Sequence, residues 1–190
     1  MANPFKSILN WVSKTFSEDP SKMLIITGVA GWTLSAIAQI GGVLFNQKLS
    51  NEQKSFLVPQ EVADAMVNIG SYFFITLFSK NLISKMCKTG KIASKNVRKH
   101  LNNSPELKSK VGKLDFMLDD VLAKNSTEYK DYKTYKSFAT TFATVGAGIL
   151  STNIITPIAR NKMASDMQKN YIENKRQHNQ TFPYSSTMKI

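Results

Sequence analysis

Three long runs without a charged side chain constrain this chain more than any other feature. The first extends from Met23 to Phe45 (MLIITGVAGWTLSAIAQIGGVLF). At about 1.5 Å per residue, a helix of that length matches a hydrocarbon core roughly 30 Å thick. Another of equal length, Ser137 to Ala159 (SFATTFATVGAGILSTNIITPIA), lies between Lys136 and Arg160. Pro157 falls near its end, where a lost backbone bond does least harm. Between them, Ala65 to Ser79 (AMVNIGSYFFITLFS) is shorter by about two helical turns. It reaches spanning length if Asp64 lies at one interface and Lys80 snorkels to the other.

The mean hydropathy of −0.22 would ordinarily describe a soluble protein. That average conceals segregation, because the charges lie almost wholly outside the three runs. Core helices of a soluble bundle normally keep a polar stripe, and these runs are long for such helices. Ala36-Ile37-Ala38 has the small-x-small spacing of a signal-peptide cleavage site, but the whole polar stretch 1–22 precedes the apolar run, which continues through Ile40 to Phe45. Residues 1–22 contain no Arg and carry Glu18 and Asp19, unlike a mitochondrial transit peptide. The expected fold is therefore all-α: a membrane helical bundle of about three transmembrane helices, flanked by amphipathic helices. Its expected parts are an interfacial helix in 1–22, the first two membrane helices in 23–86 and a basic extramembrane helical loop in 87–136. A third membrane helix follows in 137–160, and then a polar C-terminal helix and flexible tail in 161–190.

Charge is unevenly distributed among the polar segments. Residues 80–136 hold 14 Lys and Arg against 6 Asp and Glu, whereas 46–61 hold 2 of each. Basic loops stay on the cytoplasmic face, which puts 80–136 and the N-terminus inside and the neutral turn 46–61 outside. Three crossings then send the tail outside together with Arg160, Lys162, Lys169, Lys175, Arg176 and Lys189, against the same rule; a re-entrant second segment would relieve the conflict.

Small side chains recur along the first span at Gly28, Gly31, Ser35, Ala38 and Gly42. The third span carries a matching ridge at Thr140, Thr144, Gly148, Thr152 and Thr156. Membrane helices associate by close van der Waals contact at such seams, so both ridges are expected to face protein. Three amides, Gln39, Asn68 and Asn153, fall at one depth and are expected to form a layer that clamps the helices or lines a polar constriction.

In the N-terminal stretch, Phe5, Ile8, Val12 and Phe16 share a helical face, with Leu9 and Trp11 beside it, as in an interfacial helix. After the second span come Lys80, Lys85, Lys88, Lys91, Lys95, Arg98 and Lys99, a juxtamembrane series suited to anionic lipid, with nucleic acid as the rival partner. Thr89-Gly90 marks a helix break. Ser104-Pro105-Glu106 is a helix start, and Leu107, Val111, Leu114, Leu118 and Val121 follow it as a heptad-like stripe. Tyr129 to Lys136 (YKDYKTYK) repeats Tyr-Lys every three residues, the composition of an aromatic and cationic interface belt.

Signatures of catalysis are missing. Gly41-Gly42 and Gly146-Ala147-Gly148 lack the strand and lysine of a phosphate loop, and Asp119-Asp120 diverge as neighbours on a helix. With one Cys and two His the chain lacks the ligands for a Cys/His zinc site, so no metal and no cofactor are implied. Cys87, beside Lys85 and Lys88, has the setting of a lowered thiol pKa but no local His, and reads as a juxtamembrane thiol. The expectation is a non-enzymatic, multi-pass membrane protein acting as a structural or pore-forming subunit. Its expected partners are a bilayer with anionic lipids and either further copies of itself or a membrane complex. The rival classes are a soluble, basic virion or nucleic-acid-associated helical protein with buried apolar helices, and an accessory subunit of a larger membrane complex. With 22 Lys against 3 Arg and abundant Asn and Ile, the composition suits an AT-rich bacterial or viral genome, hence a bacterial or viral-associated inner membrane.

Overall fold

The computed structural model describes residues 4–17, 19–163, 165, 166 and 169. Helices and their connecting turns account for them, with no strand among the described residues. A first helix, α1 (Pro4–Phe16), leads to α2 (Pro20–Phe45). Asp19 caps α2 through the Lys22 amide, and Pro20 takes the first helical position, where a missing N–H costs nothing. Phe16 is buried at this junction with Trp11 edge-on to its ring.

The expected neutral turn of 46–61 is shorter in the structure. Only Asn46 to Ser50 turn, because Ser50 and Gln53 form a reciprocal capping box that starts α3 (Asn51–Lys88) at once. At 38 residues, α3 is about 57 Å long, well beyond a hydrocarbon core of about 30 Å. Its uncharged middle is the run 65–79.

The last long helix, α7 (Thr127–Leu150), continues through a widened π turn, Ser151–Ile155, to Met163. Pro157 would drive its ring into the carbonyl four residues earlier, that of Asn153, in a regular helix. One extra residue in the preceding turn accommodates it, with the Thr156 N–H donating to the Ser151 carbonyl. The helix therefore passes the proline rather than ending there. The same extra residue turns Thr156, five positions after buried Ser151, inward onto α3, where its hydroxyl meets that of Ser71 at 2.8 Å.

Helix α3 packs against both α2 and α7, which also touch each other, and runs antiparallel to both. The buried residues of this bundle are mostly small or hydroxylic: Ser21, Thr76, Thr140, Thr144, Ala147, Ser151 and Thr156. Thr76, Thr140 and Thr144 return their hydroxyls to carbonyls of the preceding turn, which satisfies them without a partner helix. Apolar side chains point outward instead; Leu34, Phe74 and Phe142 are 68%, 70% and 72% exposed. All three long helices are long and apolar enough to cross a membrane.

A conventional apolar core occupies one end of the bundle. Cys87 from α3, Tyr132 from α7 and residues 93–122 between them enclose Val97, Leu101, Phe116, Leu118 and Leu122. Short helices α4 (Lys95–Asn102), α5 (Pro105–Lys110) and α6 (Leu118–Val121), with the turns around them, carry these side chains. Gly90, at φ +72°, lets the chain leave α3, as Thr89-Gly90 predicts. Gly112, at φ +82°, donates its N–H to the Thr89 carbonyl at 2.8 Å, stapling the end of α5 beneath that of α3. This left-handed glycine breaks the expected heptad stripe. Leu107 and Val111 are half-buried and Leu118 fully so, but Leu114 is 70% exposed and Val121 faces out; Phe116 and Leu122 take their places. The side chains of Phe5, Ile8 and Leu9 and most of the expected tail helix lie outside the described residues.

Candidate functional site

Where the apolar part of the bundle meets this small core, the α1–α2 junction, α3 and α7 diverge around an open cleft of about 1050 Å³. Lys80 enters it about two turns before the end of α3 and Lys88 at the last residue of that helix, while Lys133 and Lys136 enter from the first half of α7. Asp19 closes the third side. The Lys80 amine is committed to Asp19 in a half-buried ion pair, and the Ser21 hydroxyl donates to the same carboxylate. Burial raises the Asp19 pKa, but Lys80, Ser21 and the Lys22 amide outweigh it and hold the carboxyl below its ordinary value.

Lys136 has a different surrounding. Its amine lies 5.5 Å from the centroid of the Tyr132 ring and 3.9 Å from Asp119, which accepts the Tyr132 hydroxyl at 2.9 Å. Burial lowers the Lys136 pKa; Asp119 opposes this, and the charges of Lys88 and Lys133 add to the lowering. Lys133 rests over the Tyr129 ring, and no carboxylate among the described residues pairs with Lys133 or Lys88. The cleft thus gathers four ammonium groups around one carboxylate, and two of them, Lys88 and Lys133, have no carboxylate partner among the described residues.

The seven basic residues expected to form one lipid-contacting series divide. Lys80 and Lys88 turn into the cleft, whereas Lys85, Lys91, Lys95, Arg98 and Lys99 are exposed. Lys91 lays its stem over Gly112, and α4 carries the last three on the outer face of the small core. Lys133 and Lys136 join the cleft unexpectedly; their signal is the Tyr-Lys repeat, in which the tyrosines pack on the small core and the last two of the three lysines fall on the cleft side. Cys87 is fully buried, and burial raises its thiol pKa despite nearby Lys136, opposite to the lowering that its lysine neighbours in sequence suggest.

Gln39 and Asn68 flank one small cavity between α2 and α3, with Ser35, and Gln39 donates to the Ser35 hydroxyl at 3.0 Å. Asn153 is exposed on the continuation of α7 and donates to the Ile149 carbonyl of its own helix. Two of the three amides are therefore adjacent, and the third is satisfied locally. Of the first-span seam, Gly28 and Ser35 are half-buried while Gly31, Ala38 and Gly42 are exposed, since the face that α2 turns to α3 centres nearer Ile25, Trp32 and Ala36. Along α7 and its continuation, Thr140, Thr144, Gly148 and Thr156 are buried and Thr152 half-buried. Both ridges receive Tyr72 of α3. Its ring fills the notch at Gly28 on one side and presses against Gly148 on the other, and its hydroxyl donates to the Leu24 carbonyl at 3.2 Å.

At the opposite end, Arg160 of the extended α7 pairs with Asp64 of α3. The short uncharged run of α3 is thus bracketed by Asp64 and Lys80, each paired with a charge from another part of the chain. Comparison with known protein families, curated proteins and solved structures returns no match.

Proposed function

We propose that this chain is a non-enzymatic integral membrane protein that crosses the bilayer three times and serves as a structural or pore-forming subunit of an oligomer. The observation that carries this reading is the reversed burial of the bundle. Threonine, serine and glycine pack between the helices while phenylalanine, leucine and isoleucine face out along all three. In water that arrangement would expose far more contiguous apolar surface than soluble monomers tolerate. In hydrocarbon it is the favoured one, because helices there gain from close approach of small residues and lose nothing by presenting leucine to lipid.

Charge supports the same reading. From Asp64 to Lys80 the helix rises about 24 Å, and neutralising each charge by a neighbour lowers the cost of placing it near hydrocarbon. The extended α7 ends beside Asp64, opposite the lysine cleft, which supports an odd number of crossings with the basic end on the cytoplasmic side. Carbonate extraction of membranes from expressing cells tests the reading: the protein should stay in the pellet. Release as a soluble oligomer that binds DNA in a salt-dependent way would refute it in favour of a nucleic-acid-associated protein. For the retained protein, ion conductance after reconstitution separates the pore-forming role from the structural one.

A further inference from the structure

The lysine cleft opens onto an apolar track. Phe138, Phe142, Val145 and Ile149 follow one another on α7 at spacings of four, three and four, and all are exposed, Phe138 and Phe142 most strongly, at 67% and 72%. Such spacing lines them along one helix face. Phe138 itself lines the cleft, and its ring stacks with that of Phe142 one turn further along. A cationic recess and an apolar strip therefore share one wall, with Lys136 and Phe138 together at their junction. The recess is comparable in size to small-molecule sites, which run roughly 300–1,000 Å³.

We propose that this cleft binds the phosphate headgroup of an anionic phospholipid, with Lys88, Lys133 and Lys136 as donors and the acyl chains along Phe138 and Phe142. Lys80 is committed to Asp19 and holds the walls together, whereas Lys88 and Lys133 lack a carboxylate partner among the described residues. Three ammonium groups held within one cleft repel one another, and a phosphate between them relieves that repulsion while adding charge-assisted hydrogen bonds. The hydroxyls of Ser84 and Ser137 line the same cleft and can donate to the remaining phosphate oxygens. A headgroup with two negative charges matches the site better than one with a single charge, since Lys80 faces Asp19 and Lys136 faces Asp119, which leaves two cleft lysines, Lys88 and Lys133, without a carboxylate partner among the described residues. Free phosphate offers the same head chemistry but leaves the apolar strip uncovered, which favours lipid as the source.

This assignment rests on the bilayer placement proposed above, and the test separates the two. Full-length protein is purified in mild detergent, offered mixed micelles containing either a neutral phosphatidylcholine or a diphosphatidylglycerol, and studied by native mass spectrometry for retained lipid. The wild type should retain the diphosphatidylglycerol and not the neutral lipid. K88Q/K133Q should lower its affinity about thirtyfold, the loss expected for two basic contacts at a membrane surface. K88R/K133R should keep it, and K95Q/K99Q, which removes two lysines of α4 outside the cleft, should leave it within about twofold. An equal loss in K95Q/K99Q would show general surface attraction and overturn the site. Displacement by inorganic phosphate as readily as by lipid would assign the cleft to a soluble ligand, and displacement only by an oligonucleotide would assign it to nucleic acid. Either outcome overturns the lipid proposal. Protein that stays in the carbonate pellet yet retains no diphosphatidylglycerol refutes this inference alone; protein released by carbonate refutes the membrane reading beneath it.

Discussion

Replacing Gly28 by alanine tests the packing of the bundle most directly. A Cβ built there would lie 2.3 Å from the Tyr72 hydroxyl oxygen and 2.4 Å from ring carbons Cε1 and Cζ. Comfortable carbon contacts are about 3.5–4.0 Å. The ring has little room to retreat, because a Cβ at Gly148 on the other side would already be 3.2 Å from its Cε2 atom. Overpacking of this kind costs about 1–3 kcal/mol, and displacing the ring also breaks the Tyr72–Leu24 bond, worth about 0.6 kcal/mol between membrane helices. Alanine gains at most about 1 kcal/mol over glycine in helix propensity, and less where the unfolded reference state stays helical. The net loss for Gly28→Ala is thus about 0.6–3.6 kcal/mol. Gly31→Ala adds its methyl where no described residue outside its own helical turn lies within 4 Å and keeps only the small gain. The two variants should therefore differ by roughly 2 kcal/mol in an SDS titration of detergent-solubilised protein. Trp32 fluorescence in a Trp11→Phe background is the signal, since Trp32 is half-buried on α2 beside Ala65. In Gly28→Ala/Tyr72→Leu, the cost of the alanine should largely disappear. Equal midpoints for Gly28→Ala and Gly31→Ala, or strictly additive effects in the double variant, would refute the notch.

Four further outcomes follow from single contacts. Asp19, whose folded pKa is depressed, contributes stability that is fully present above its unfolded pKa of about 3.9 and is lost as the pH falls through the lower folded value; acid titration of wild type should show this loss below about pH 4, and Asp19→Asn, which keeps the cap, should flatten that part of the curve. Asp64→Arg or Arg160→Asp alone should lower the SDS midpoint by the equivalent of about 1 kcal/mol, while the exchanged pair recovers most of it, because that half-exposed ion pair ties α3 to the end of α7. Ser151→Ala should leave stability unchanged or raise it by about 1 kcal/mol in the same titration, since the Ser151 hydroxyl is fully buried without a hydrogen-bond partner among the described residues. Cys87, fully buried with a raised thiol pKa, should react with a maleimide only after unfolding, which a time course in folded and SDS-denatured protein will show.

Much of the architecture is legible in local sequence. The uncharged runs 23–45, 65–79 and 137–159 mark the apolar stretches of the three long helices, Thr89-Gly90 marks the end of α3, and Asp19-Pro20 the start of α2. These features depend on hydrophobicity, capping and glycine conformation, which act over a few residues and need no knowledge of neighbours. The heptad-like spacing from Leu107 to Val121 misleads, because spacing presumes an unbroken helix and Gly112 at positive φ breaks it. The length of α3 is also hidden: residues 51–64 carry charge and resemble a loop, yet a capping box makes them helix.

The candidate site is less legible, for a reason of distance. Its charged groups come from residues 19, 80, 88, 133 and 136, and no sequence window holds Asp19 with Lys80 or Lys88 with Lys133. Lysine in a linear run looks like solvated surface; only the antiparallel placement of α3 and α7 turns Lys88 and Lys133 toward one recess and leaves Lys95 and Lys99 outside it. The small-residue ridges show the same division. Gly28 and Gly148 can be chosen as packing positions from their helical spacing, but that both receive one Tyr72 ring depends on α3 packing against both of their helices. The residues alone decide where helices form and which stretches avoid water, because those preferences are set by each side chain and its near neighbours. Helix rotation, the inward turn of Thr156 through a π turn and the pairing of distant charges are set by packing, where a shift of one residue or a fraction of a turn exchanges a buried face for an exposed one.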